Sequence, residues 1–162
     1  TSLVTNIDDT IHAGIEALIS ARVSLRGNRS LGPLLSLSLN DFKFDSDPTY
    51  GNNELPAAPD YVIRGEILYR NGNGFYIGPT FEFVGDRYAD FVNSYKVDSY
   101  ELLGLRAGWS NDRWTVYADI RNVLDEEYVA NHSVRNIAVP IDAILNPGEP
   151  ASAYFGVQRQ FD

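Results

Sequence analysis

The dominant period along this chain is two. From Ile15 to Leu25 the odd positions are Ile15, Ala17, Ile19, Ala21, Val23 and Leu25, while the even ones are mostly polar. Leu35, Leu37 and Leu39 alternate with Ser36, Ser38 and Asn40. That spacing predicts strands with one apolar and one polar face, because successive side chains of a strand point to opposite sides. The parity breaks at Phe42 and Phe44, which predicts a bulge or a strand leaving the apolar layer. Further strands are predicted over 61–70, 75–84, 102–109, 114–121 and about 152–161. Pro79 counts against a fully paired central strand, since proline cannot donate to the ladder.

The predicted connections alternate in length. Short ones fall near Gly27 to Gly32, at Asn71-Gly72-Asn73-Gly74 and at Ser110-Asn111-Asp112; the second is a strong tight-turn signal. Long ones run about Asp45 to Pro59, Asp86 to Asp98 and Tyr128 to Pro150. Short turns at one end and long loops at the other are the habit of outer-membrane barrels. No internal repeat, low-complexity tract or linker divides the 162 residues, so one unit is expected.

Charge sharpens the two faces without choosing their surroundings. The polar set carries Glu16, Arg22, Arg64, Glu66, Arg70, Glu82, Arg106, Asp119 and Arg121. A soluble β-sandwich would turn those residues to water and a membrane barrel would turn them to its lumen. Strands of about nine to eleven residues, the length that crosses a bilayer, favour the barrel. No run of about 18 apolar residues is present, so no transmembrane helix is expected. Ten Tyr, eight Phe and two Trp suit the aromatic girdles of a membrane barrel, and suit sheets generally. A net charge of -9 argues against nucleic acid, and the lack of Cys removes disulfides and thiol chemistry.

The last third of the chain carries a resemblance. The run from Trp114 to Tyr128, closing Asn122-Val123-Leu124-Asp125-Glu126-Glu127-Tyr128, resembles the penultimate strand of TonB-dependent receptors. Asn146-Pro147-Gly148-Glu149-Pro150 is similar to that family's entry to its last strand, with Ala151 where Arg is common. The chain then runs to Phe161, like a barrel's terminal aromatic signal, with Val157, Phe155 and Ala153 at the preceding alternate positions. Arg159 and the trailing Asp162 depart from that pattern. Upstream, Asn6-Ile7-Asp8-Asp9-Thr10 with Gly14-Ile15-Glu16, Leu55-Pro56-Ala57-Ala58-Pro59 and Val84-Gly85-Asp86-Arg87-Tyr88 are similar to further family stretches. Each is weak alone; their order is what makes the set specific.

The resemblance implies an all-β antiparallel transmembrane barrel, of which residues 1–162 would be about the last seven or eight of 22 strands, without the plug domain. It places the short turns in the periplasm and the long loops outside a bacterial outer membrane. It implies no catalysis and no cofactor, but uptake of a scarce nutrient, most often a ferric siderophore. The implied partners are membrane lipid, the rest of the barrel and plug, the TonB system indirectly, and a small ligand such as a metal chelate. Candidate ligand contacts in the outer loops are Arg87, Tyr88, Phe91, Tyr95 and His132. Interface anchoring explains Tyr88, Phe91 and Tyr95 equally well, and an exposed loop residue is the plainer reading of His132. Asp125-Glu126-Glu127 reads as a solvated acidic loop rather than a cation site. The Arg residues near Glu16, Glu66, Glu82 and Asp119 suit a salt-bridged lumen better than an acid–base pair. The rivals are an enzyme on a small barrel, for which no Ser/His/acid constellation assembles around His12 or His132, and a soluble sandwich that folds without detergent.

Overall fold

The computed structural model describes residues 9–161. The Asn6-Ile7-Asp8 part of the first similar stretch, and Asp162, lie outside them. The strands are β1 (Thr10–Ser20), β2 (Val23–Leu25), β3 (Arg29–Phe44), β4 (Tyr61–Arg70), β5 (Phe75–Val84), β6 (Arg87–Tyr88), β7 (Lys96–Val97), β8 (Tyr100–Ser110), β9 (Trp114–Arg121), β10 (Val129–His132), β11 (Leu145–Pro147) and β12 (Ser152–Arg159). One eight-stranded antiparallel sheet runs β1-β3-β4-β5-β8-β9-β12, with β2 also on β3. The pairs β6–β7 and β10–β11 form two small ribbons inside the long connections. The sheet is open, with β1 and β12 as its edges.

The predicted long first strand starts earlier, at Thr10, and is interrupted at Ala21-Arg22. The cause is Pro33. Ala21 donates its N–H to the Pro33 carbonyl at 3.1 Å, but Pro33 has no N–H to return. The register is the same on both sides of the gap, Ser20 facing Leu34 and Val23 facing Leu31. The first turn occupies residues 26–28, with Gly27 at φ 73° and Asn28 at φ 57°; Arg29 to Gly32, expected in the turn, belong to β3. Both residues tolerate left-handed backbone, so the tight turn forms without strain.

The parity break at Phe42 is not a bulge. β1 and β3 stay in register from Thr10–Phe44 to Ser20–Leu34. The strand leaves the apolar layer instead. Beyond it, Asp41 and Lys43 pair with each other at 2.9 Å on one side. On the other, Phe44 is fully buried against Tyr50 and Phe91, with ring centroids 5.0 and 6.0 Å away.

Pro79 does lie in an interior strand. It pairs with Leu105 of β8, while the β4–β5 register skips Ile67 and Leu68 opposite Pro79 and Gly78. The sheet accepts one missing donor by leaving a local gap on one side.

Cross-strand neighbours confirm the predicted faces. Leu37, Ile63 and Phe83 form one row, and Phe81 faces Leu103 in another. No second sheet covers this face among the described residues. Ile15 and Ile19 are 62% and 58% exposed, and Phe155 and Val157 are 78% and 67% exposed. An apolar face of this extent is far larger than water tolerates on a soluble monomer, which disposes of the sandwich. Lipid is the medium that suits it. Gly65 sits under the Phe81 ring, which occupies the space that any side chain there would need.

Candidate functional site

The polar face of the sheet is an ionic ladder. Arg64 of β4 meets Glu82 of β5 at 3.0 Å, and the Tyr100 hydroxyl donates to the same carboxylate at 3.3 Å. Arg106 of β8 bridges Glu66 at 2.7 Å and Asp119 at 3.3 Å. Arg121 continues the chain, 3.5 Å from Asp119 and 3.6 Å from Glu149. Antiparallel register produces this, because Arg64 faces Glu82 and Arg106 faces Asp119 directly across the ladder. The salt-bridged lining expected from sequence therefore forms over β4 to β9. Glu16, Arg22 and Arg70 have no ion-pair partner among the described residues. A cavity of about 460 Å³ lies over the ladder.

At the long-loop end the connections interlock into a cap. Asn53 donates through Nδ2 to the Phe91 carbonyl at 2.9 Å, and Asn93 exchanges hydrogen bonds with Glu54 at 2.8 and 3.0 Å. These bonds fasten the 45–60 loop to the 85–99 loop. A backbone β-bridge fastens the third loop to the second: the Arg135 N–H donates to the Ala89 carbonyl and the Phe91 N–H to the Arg135 carbonyl, both at 3.1 Å. Ala89, Val97 and Ile144 are sealed at 0%, 3% and 4% exposure, with Val129 and Ala138 packed on them.

Asp90 is the keystone of the cap and was not singled out from the sequence. It is fully buried and accepts from the Ser94 N–H and the Ala138 N–H at 2.8 and 2.9 Å, from the Tyr95 N–H at 3.3 Å, and from the Ser94 hydroxyl. Burial pushes its carboxyl up, but the four hydrogen bonds outweigh burial and hold it below the usual carboxylate range. No local turn spacing marks it, since the donors to its carboxylate lie four, five and 48 residues further on.

The candidate contact residues come together, mostly as parts of this cap. Arg87 is 5% exposed and donates through Nη2 to the Val129 carbonyl at 2.8 Å; its Nη1 is buried without a partner. His132 is half-buried rather than an exposed loop residue. Its Nε2 lies 3.2 Å from the Tyr88 carbonyl, which can only accept, so Nε2 carries the proton. Burial, aided by the nearby Arg87 charge, holds the His132 pKa below its usual value. Phe91 packs on Tyr50 with centroids 5.5 Å apart, and Tyr88 lies under Lys96 at 5.7 Å. Tyr95 alone of the five is exposed. It borders a second cavity of about 620 Å³, whose lining includes Asp98, Asp125, Glu126, Glu127 and Tyr128. That volume is in the range of small-molecule sites.

The motifs behind the resemblance have structural work in the cap. Asn122 is 3% exposed at φ 48° and donates to the Glu126 and Glu149 carbonyls at 2.9 and 3.0 Å. Asp125 accepts from the Ala151 N–H at 2.8 Å. The Tyr128 ring covers Gly148 so closely that a side chain there would collide with it, and the Tyr128 oxygen accepts from the Glu149 N–H at 3.2 Å. Hydrogen bonds from Ser152 and Tyr154 hold the Glu149 carboxyl below its usual range. His12 packs on Phe42 with the rings tilted and contacts Thr10, and no hydrogen bond joins either histidine to a carboxylate among the described residues.

Comparison with known proteins agrees with this architecture. The family described as TonB dependent receptor-like, beta-barrel, matches residues 1–123. The ferrichrome outer membrane transporter/phage receptor of Escherichia coli is 25% identical over 127 residues, covering 72% of this chain and 16% of that protein. The crystal structure of the siderophore receptor PiuA from Acinetobacter baumannii superposes with a TM-score of 0.71 at 16% identity, over 91% of this chain and 21% of that one. The ferric yersiniabactin uptake receptor FyuA from Yersinia pestis gives 0.64 at 16% identity, over 90% and 23%. The chain thus spans less than a quarter of the length of each relative, and the open sheet is a sector of a larger barrel. With lipid outside, an ionic lumen within and long loops interlocked at one end, the chain belongs to the TonB-dependent receptor β-barrel family of the bacterial outer membrane.

Proposed function

We propose that this sector belongs to a receptor that captures a ferric siderophore outside the cell and passes it inward when the TonB system acts on a plug. The interlocked loop cap carries the reading. A receptor gains affinity when its capture surface is ordered before the ligand arrives, because less ordering entropy remains to be lost on binding. The cap is ordered by Asp90, Asn93 and Arg87. Tyr95 and Tyr88 are the proposed contact residues, while Arg87, Phe91 and His132 shape the surface that presents them. The carboxylates of Asp98, Asp125, Glu126 and Glu127 around the second cavity disfavour anionic chelates and favour neutral or cationic ones. The ionic ladder supplies a hydrated lumen wall against which a plug can move. The membrane, the remaining barrel and the plug are the proposed partners, and no catalytic step is assigned.

The test is uptake of radiolabelled iron chelates by cells that lack the native receptor and express the full-length receptor containing this sector. TonB-dependent accumulation of a neutral or cationic chelate, reduced several-fold by Tyr95→Ala, is expected. Accumulation that is identical with and without the receptor, across chelates of every charge, would refute the reading.

A further inference from the structure

The charge of this chain is segregated along the barrel axis. Arg22, Arg26, Arg29, Arg70, Arg113 and Arg159 gather at the short-turn end, where Asp112 is the sole carboxylate among the described residues of segments 20–34, 67–78, 107–116 and 157–161. The basic side chains of the middle strands are neutralised by the ladder. Arg29 and Arg159 have no carboxylate partner among the described residues. Register also places these two on the apolar face. Arg29 faces Leu25, and Arg159 faces Trp114, whose row continues with Val116 opposite Val157. They therefore stand at the periplasmic edge of the lipid-facing surface.

Arg159 is the sharper case. Its guanidinium lies 5.1 Å from the Trp114 ring centroid and 4.7 Å from that of Phe161. Trp114 and Phe161 are themselves 39% and 75% exposed. A guanidinium held over aromatic faces keeps its N–H donors in its own plane, free for a planar two-oxygen acceptor. Interfacial aromatics fix the depth at which the pair meets the headgroups.

We propose that the Arg159–Trp114–Phe161 corner binds the phosphate of an anionic phospholipid in the periplasmic leaflet. The anionic lipid is preferred because a zwitterionic headgroup brings an amine to a surface whose only described carboxylate is Asp112. This rests on the membrane placement of the barrel and not on the transported ligand.

The experiment reconstitutes the full-length receptor containing this sector in nanodiscs of mixed phosphatidylcholine and phosphatidylglycerol. Lipids retained after detergent extraction are then counted by native mass spectrometry. Arg159→Gln is expected to lower phosphatidylglycerol retention about fivefold, and Arg159→Lys, which keeps the charge and loses the two-point contact, by less. Lys43→Gln, a cation at the outer end, should leave retention unchanged. Equal retention in the wild type and Arg159→Gln overturns the proposal, as does an equal fall in Lys43→Gln. Displacement of the lipid by inorganic phosphate at matched ionic strength would make the corner a site for free phosphate and overturn it too. Heat-dependent gel mobility checks folding; if Arg159→Gln does not fold, Arg159→Lys decides, with unchanged retention refuting the lipid site.

Discussion

Along β8, Leu103, Leu105 and Trp109 each leave 38% of their surface uncovered, whereas Ala89 and Val97, in the loop just before it, are sealed. The same chain buries apolar groups in two ways. The sheet relies on its backbone ladder and on an apolar solvent, and the cap relies on a small core of its own. The contrast follows from the surroundings. Within a bilayer the backbone must be satisfied internally, but apolar side chains need no protein neighbours. Above it, water restores the hydrophobic penalty, and the loops must pack and pair like a miniature soluble domain. The cap is therefore expected to loosen under conditions that leave the sheet intact.

The largest separation of the two regions should come from a charge on the lipid face. Leu105→Arg, midway along β8, is expected to cost ~2–4 kcal/mol, while Leu18→Arg on the lumen side should cost far less. Urea titration of the receptor in vesicles, followed by loss of heat-dependent gel mobility, measures both. Equal costs would mean that the faces are assigned wrongly.

The next effect should fall on the cap alone. Asp90→Ala removes the acceptor of four hydrogen bonds and should destabilise the cap by ~1–3 kcal/mol. Hydrogen exchange should accelerate over 86–98 and 133–143 and stay unchanged over 61–70. Acceleration spread evenly over both would contradict a separate cap.

Acid should act in the same direction. His132 is held below its ordinary value of 6.5 in the folded cap, so the unfolded loop binds the proton first as pH falls. Its contribution is complete above that value and is lost as pH drops below it. Asp90, held below 3.8, loses its contribution at still lower pH, as its folded carboxyl protonates. Loop exchange, taken relative to the intrinsic amide rate at each pH, should therefore speed up as pH falls below 6.5, and His132→Gln should flatten that first step. A loop that tightens with acid would overturn this reading of His132.

The smallest expected change belongs to the ladder. Arg64 and Glu82 form a pair whose side chains are 60% and 28% exposed, so Arg64→Gln should cost only ~0.2–1 kcal/mol. Urea midpoints resolve that difference, and a larger loss would mean that the pair is shielded by a neighbour such as a plug.

These same two regions mark what sequence could show. β4 and β5 were legible to the residue, because alternation and the 71–74 turn are local signals. Pro79 was read as a fault in the ladder and Pro33 was not singled out, because the effect of each depends on which neighbour its missing N–H would have faced. The ribbons Arg87–Tyr88 with Lys96–Val97, and Val129–His132 with Leu145–Pro147, were not legible. Each is too short to show a period and is fixed by contacts between separate loops. For the same reason Arg87 read as a candidate ligand contact and His132 more plainly as an exposed loop residue, although the fold engages one with the Val129 carbonyl and the other with that of Tyr88. Asn122 and Gly148 were recognised through resemblance; their packing explains why those residue types stand there.

The most direct test of the two-region account uses the absence of native Cys from this chain. Single Cys residues at Asn28, Val116 and Asp142, in a full-length receptor without other accessible Cys, report the turn end, the lipid face and the cap. The account predicts that a membrane-impermeant maleimide labels Asp142→Cys on intact cells. Asn28→Cys should react only after the outer membrane is permeabilised, and Val116→Cys should stay unreactive until detergent strips the lipid. Labelling of Asn28→Cys on intact cells, or ready labelling of Val116→Cys in the membrane, would contradict it.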